Sequence, residues 1–100
     1  MSQGKQAPAR RRRDPSLAPA TVLFFGSVAD VFGRQAVVSL PARGCALSEV
    51  RSRLTAMGAA AAAALSTGGV RAAVDQVMVD DQAWVRPGQE IAFFSLFSGG

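Results

Sequence analysis

The sequence closes on Ser98-Gly99-Gly100, and the α-carboxylate of Gly100 is the group whose chemistry is most easily imagined. Two residues without Cβ atoms make a thin segment that can pass through a narrow channel and present that carboxylate to buried chemistry. Bulky residues there would block entry. Leu96 and Phe97 just upstream are of the type that anchors on a partner through apolar burial. A frayed chain end is the alternative, and the glycines by themselves leave it open. Their placement directly after an apolar strand, through Ser95, Leu96, Phe97 and Ser98, gives them weight.

The other reactive types are scarce. There is one cysteine, Cys45, and no histidine, so an internal disulfide is excluded and the usual zinc ligand sets are missing. Without a histidine to pair with it, Cys45 reads as a small, inert, partly buried residue, and the cytoplasm is the expected compartment. Ser66-Thr67-Gly68-Gly69 lacks the following Gly-Lys-Ser/Thr pattern of a phosphate cradle and reads as a flexible loop.

The formal net charge of +4 sits in an amino-terminal arm, where Lys5 and Arg10 to Arg13 outweigh Asp14. From Pro15 onward six arginines meet six carboxylates, and the body is neutral. The arm, residues 1–20, is rich in proline and poor in large apolar residues, which predicts disorder. It could touch phosphates non-specifically or serve as a solubilising extension. The neutral body, with no interleaved basic and aromatic surface in its sequence, argues against a nucleic-acid module. No run is long and apolar enough to predict a membrane span.

What must position the tail is a body of about 80 residues, at the size where one core only just suffices. Thr21 to Phe25 is β-rich with apolar residues at every position after the first, which predicts a central or doubly covered strand. Gly26 and Ser27 end it, and Ser27 is a candidate cap for a short helix through Asp30 to Phe32 that stops at Gly33. Gln35 to Leu40 predicts a second, antiparallel strand closed by Pro41. Leu47, Val50, Leu54 and Met57 fall at helical spacing, with Glu49 in the first turn and an end by Gly58. Ala59 to Ala64 continues as a helical segment leaning on Leu65. Val70 to Val79 reads as a strand, reversed at Asp80-Asp81 into a short strand near Ala83 to Val85. Pro87-Gly88 is a type II turn signal, and Glu90 to Phe94 is the last strand. The expected core is Val22, Phe24, Leu40, Val50, Leu54, Val74, Val77, Ile91 and Phe93.

One helix packed across a mixed four- to five-stranded sheet, with the first and last strands side by side in its middle, is the α+β arrangement called the β-grasp, or ubiquitin-like fold. Three stretches then carry a family resemblance: Val22-Leu23-Phe24-Phe25-Gly26, Ala72-Ala73-Val74-Asp75-Gln76, and Pro87 to Phe94 running into Ser98-Gly99-Gly100. From Thr21 to Gly100 the chain resembles the small subunits of molybdopterin synthase, within the wider family of ubiquitin-like sulfur carriers. The resemblance implies a carrier domain over residues 21–100 with a flexible tail, residues 95–100. It implies that Gly100, reached through Gly99, is adenylated with ATP and Mg by a ubiquitin-activating-type adenylyltransferase and then thiocarboxylated from a sulfur donor protein. The sulfur would go to cyclic pyranopterin monophosphate in the active site of the large synthase subunit, with Phe94, Leu96, Phe97 and Ser98 facing that partner. The carrier would be a cosubstrate more than an enzyme, holding no cofactor or metal of its own.

Two departures stand out. Ser95 and Leu96 occupy a stretch where many relatives have two prolines, and Asp75 stands where the family often has asparagine. Within the same fold, a carrier for thiamine thiazole synthesis or for thiolation of an amino-acid precursor is the alternative. A protein modifier joined to lysine through the same Gly-Gly end is another.

Overall fold

A computed structural model of the chain describes residues 16–66 and 69–95. The elements run β1 (Leu17–Phe25), a 3-10 turn (Gly26–Val28), α1 (Ala29–Phe32), β2 (Gln35–Pro41), β3 (Cys45–Ala46), α2 (Leu47–Thr55) and α3 (Ala59–Ser66). They continue with β4 (Val70–Val74), β5 (Val77–Val79), β6 (Trp84–Val85) and β7 (Ile91–Ser95). Five strands form one sheet in the order β2-β1-β7-β4-β5, and β3 and β6 pair separately as a two-stranded ribbon. Within the large sheet β1 and β7 are parallel, and the other neighbours are antiparallel. This is the β-grasp, with helices packed on a mixed five-stranded sheet.

The core follows from strand parity. Ala20, Val22 and Phe24 of β1, Val38 and Leu40 of β2, Ala72 and Val74 of β4, and Ile91 and Phe93 of β7 are all buried. Leu47, Val50 and Leu54 of α2 and Leu65 of α3 close over them. Phe24 lies between two rings, stacked on Phe32 at 4.5 Å and on Phe93 at 6.3 Å between centroids. Each large side chain buried in this way contributes about 1.5–3 kcal/mol relative to exposure.

Arg51 binds the layers together. Its guanidinium donates to both carboxylate oxygens of Asp81 at 3.0–3.2 Å and to the Leu65 carbonyl at 3.2 Å. It also lies 5.1 Å from the Phe93 ring centroid. One side chain on α2 thus ties the end of α3, the loop before β6 and the central strand β7.

Several expectations change. The first strand begins at Leu17, inside the stretch expected to be an arm, because Leu17 to Thr21 pair with Val37 to Pro41. Pro19 is admitted there because β7 pairs with β1 only from Val22 onward, so no ladder partner needs its missing N–H. Met57 is 60% exposed, since α2 ends at Thr55 and the chain turns away before Met57 reaches the buried face. The reversal expected at Asp80-Asp81 comes earlier, at Asp75-Gln76. Both residues have positive φ, 51° and 69°, as a two-residue β-hairpin turn requires. Val77 therefore falls on the edge strand β5 and is 63% exposed. The short strand near Val85 joins β3 and not the main sheet. Residues 1–15, with the arginine block, and Thr67 and Gly68 lie outside the described residues.

The burial difference has a direct consequence for stability. Leu54→Ala should destabilise by about 2–4 kcal/mol, whereas Val77→Ala should stay within about 0.5 kcal/mol. Urea unfolding of the two variants measures both; equal losses would place Val77 in the core after all.

Candidate functional site

Gly99 and Gly100, together with Leu96, Phe97 and Ser98, lie outside the described residues, so the site is approached from its root. That root is Ser95, the last residue of β7. On one side Ser95 is opposite Val70 of β4. On the other it meets the turn that follows β1: its Oγ accepts from the Val28 backbone N–H at 3.0 Å and from Ser27 Oγ at 3.0 Å. A Cβ on Gly26 would stand 3.1 Å from both Ser95 Cβ and the Ser95 carbonyl, so the chains approach at a distance only glycine permits comfortably. Ser27 was expected to cap the short helix. Instead neither the turn nor α1 has a capping side chain at its own N-cap position, and the acceptor arrives from β7. Five residues follow Ser95, so the Gly100 carboxylate is at most about 18 Å from it.

Phe94, expected to face a partner, lies on the sheet face opposite the helices. Its neighbours across the strands are Phe25 of β1 and Arg71 of β4. The same face carries Leu23, Ala92, Ala73 and Met78 in the next row, with Val37 toward the edge. Phe25 is 53% exposed, and Val37 and Met78 are exposed too. Of the two readings offered for the apolar Leu23 and Phe25, a central strand holds, with β1 between β2 and β7, and a double cover does not. Both residues belong to an open face, and no described helix packs there. Beside it, Leu23, Phe25, Arg34 and Gln35 line a groove of about 560 Å³, apolar but for one guanidinium and one amide. A contiguous apolar surface of this kind on a small domain fits a partner-binding role.

The sequence alone pointed to Phe94 and passed over Phe25, Leu23 and Ser95. A usable signal existed for the first two. A single layer of helices covers one sheet face, so apolar residues of both parities on a central strand must leave one set exposed. Ser95 had no such signal, because its partners are 67 and 68 residues away.

Asp75 and Gln76 make the β4–β5 turn, and Asp75 also holds the entry to β7. Its carboxylate accepts from the Glu90 backbone N–H and from Gln89 Nε2, both at 2.9 Å, while its own N–H donates to the Glu90 carbonyl at 2.8 Å. These hydrogen bonds, chiefly that from Glu90, hold the Asp75 carboxyl below its usual pKa. Pro87-Gly88 forms the expected turn just before, with Gly88 at φ +97° and Gln89 N–H donating to the Arg86 carbonyl. Cys45 is buried, and burial, with the nearby Glu49 carboxylate, pushes its thiol up, the opposite of an activated nucleophile.

A ubiquitin-like body with an open apolar face, whose central strand leads into a Gly-Gly end, is the form of a sulfur-carrier protein. A sequence model described as the ThiS family matches residues 22–100, and the chain belongs to that family. Its members share the ubiquitin-like adenylation and thiocarboxylation function, in which the protein is a carrier and not a catalyst. Among solved structures, the crystal structure of SAMP1 from Haloferax volcanii superposes with a TM-score of 0.64 at 18% identity, covering 83% of this chain and all (100%) of that one. The solution structure of the Haloferax volcanii HVO 2177 protein gives a TM-score of 0.70 at 16% identity, covering 97% of this chain and 100% of that one. At such identities the likeness is one of fold. No curated protein matches the chain.

The depressed Asp75 pKa fixes the sign of a pH effect. The unfolded state takes up this proton first as pH falls, so the contribution of Asp75 is fully present above its unfolded value, near pH 4. It is lost as pH drops through the lower folded value. Asp75→Asn should therefore flatten the fall of Tm with acidity below about pH 4. Parallel acid melting curves for the two proteins would contradict this.

Proposed function

We propose that this chain is the sulfur-carrying small subunit of a molybdopterin synthase. The observation that carries the reading is the placement of Phe25 beside Phe94 on an open apolar face, at the end of β7, the last strand before Gly99-Gly100 in the sequence. The three stretches that resemble those subunits support it. Two of them supply the paired strands β1 and β7, and the third supplies the Asp75 turn that holds the start of β7.

In this reading the apolar face docks first on an adenylyltransferase of the ubiquitin-activating type and later on the large synthase subunit. The Gly100 carboxylate attacks the α-phosphorus of ATP, held with Mg by that enzyme, and pyrophosphate leaves. Hydrosulfide-level sulfur released by a donor protein then attacks the acyl carbon, AMP departs, and a thiocarboxylate remains. That group is a soft nucleophile at neutral pH and passes sulfur to cyclic pyranopterin monophosphate in the large subunit, whose residues supply the acid and base catalysis. Hydrolysis returns the Gly100 carboxylate for another cycle, and two transfers complete the dithiolene. Leu96, Phe97 and Ser98 would line the channel between the face and the reaction centre.

Incubation with an adenylyltransferase of this type, ATP and a sulfur donor should replace one oxygen of the chain by sulfur, read by intact mass. The loaded protein, with the large subunit, should then convert cyclic pyranopterin monophosphate. A chain without Gly99-Gly100 that still supports conversion would sink the proposal. Loading without conversion, with transfer instead to a thiazole synthase, would move the chain to the thiamine branch.

For the face, Phe25→Asp should weaken binding to the large subunit by roughly tenfold or more, because it buries a charge against an apolar surface. The fold should hold, since Phe25 is half exposed. Phe97→Asp should act in the same direction. Calorimetric titration checks both, and unchanged affinity would remove that residue from the interface.

A further inference from the structure

We propose that Ser95 is a positioning residue, whose hydroxyl, by capping the Gly26–Val28 turn, sets the direction in which the chain leaves the sheet and hence where the Gly100 carboxylate is presented. The inference deepens the carrier reading and rests on it.

The start of a helical segment leaves backbone N–H groups without intrahelical acceptors. Here the chain supplies no local cap: Phe25, the residue before the turn, and Val28, the residue before α1, cap with no side chain. Ser95 Oγ fills that role from another strand, accepting from Val28 N–H and Ser27 Oγ at 3.0 Å each. The bond acts in both directions. It closes the turn, and it holds the Ser95 side chain, and with it the backbone, against the end of β1.

Ser95 is gripped on three sides. Val70 is its strand partner, Gly26 lies against its Cβ and carbonyl, and Ser27 and Val28 hold its hydroxyl. Gly26 is at φ +79°, a conformation side chains rarely adopt, and a Cβ there would press on Ser95. The turn is thus shaped to receive this residue. Phe94, one position earlier, belongs to the docking face. The clamp therefore stands at the junction between the part of the molecule that docks and the part that reacts.

An unclamped root would let the carboxylate wander over more of the volume within its reach, and the fraction of docked complexes with the tail in the channel would fall. That loss acts on the rate within the complex and not on docking, because the face is untouched.

The test follows pyrophosphate release by the adenylyltransferase with the full chain as substrate. Ser95→Ala should lower kcat roughly five- to tenfold, the scale of one or two lost hydrogen bonds, with KM unchanged. Ser27→Ala, which removes one of the two bonds, should fall between. Val38→Ala, which loosens the core away from the root, should leave kcat unchanged below its Tm and separates positioning from stability. Amide exchange at Val28 should quicken in Ser95→Ala, and the backbone order parameter of Ser95 should drop. If Ser95→Ala is adenylated as fast as the wild type, or if Val38→Ala slows as much, the inference is overturned while the carrier reading stands. Unchanged exchange at Val28 would overturn it as well. A wild-type chain that is never adenylated overturns the carrier reading and this inference with it.

Discussion

Parallel strands cannot be joined by a tight turn, and this molecule sets its first strand parallel to its last. Everything between Phe25 and Ile91 is in effect the connection, and it must return the chain to the edge of β1 opposite β2, running in the same direction as β1. The helices, the β4–β5 hairpin and the β3–β6 ribbon make that return. The register of the pair, Val22 with Ile91 and Phe24 with Phe93, puts four buried side chains at the centre of the sheet. Phe24 reaches from there to Phe32, and Phe93 to Arg51. A slip of one residue would turn those side chains to solvent and carry Phe25 and Phe94 into the core.

The same pairing creates the site. Because β1 and β7 end together, the turn leaving β1 and the chain leaving β7 emerge side by side, close enough for Ser95 to bond Ser27 and Val28. Because helices cover one face only, the alternate residues of both strands form an apolar surface that nothing in the described chain fills. The face and the segment that ends in Gly99-Gly100 are joined through Ser95. The division suits a carrier, the role its family fills.

Polar ties hold the ends of this arrangement. Asp75 turns one hairpin and at the same time fixes the start of β7 through Glu90 and Gln89. Arg51 joins α2, α3, the loop at Asp81 and the Phe93 ring. Among the described residues no charged or polar side chain is fully buried, so these ties act at the margins of the core and not within it. A small core rich in alanine leaves them a proportionately larger share of the stability.

Local pattern determined a good deal by itself. The helical spacing of Leu47, Val50 and Leu54, the hairpin of β1 with β2, the Pro87-Gly88 turn and the apolar last strand follow from periodicity and turn chemistry, which act over a few residues. The pairing of first with last strand was also legible, because strands apolar on both sides have few places but the middle of a sheet. Tertiary structure decided what depends on partners far along the chain. Val74 and Val77 look alike in sequence, yet only one lies in the sheet interior. Leu23 and Phe25 read as residues of a central or doubly covered strand; β1 is central, and their exposure as a surface shows only in the fold. Arg51 lies off the apolar stripe of α2, which gives no sign of its partner, and Ser27 read as a local cap. Asp81 lies 30 residues from the first and Ser95 lies 68 from the second, so no local rule could join them. The Gly-Gly end could be read from the sequence, but the hold of the turn after β1 on Ser95, the last described residue before it, was set by the fold.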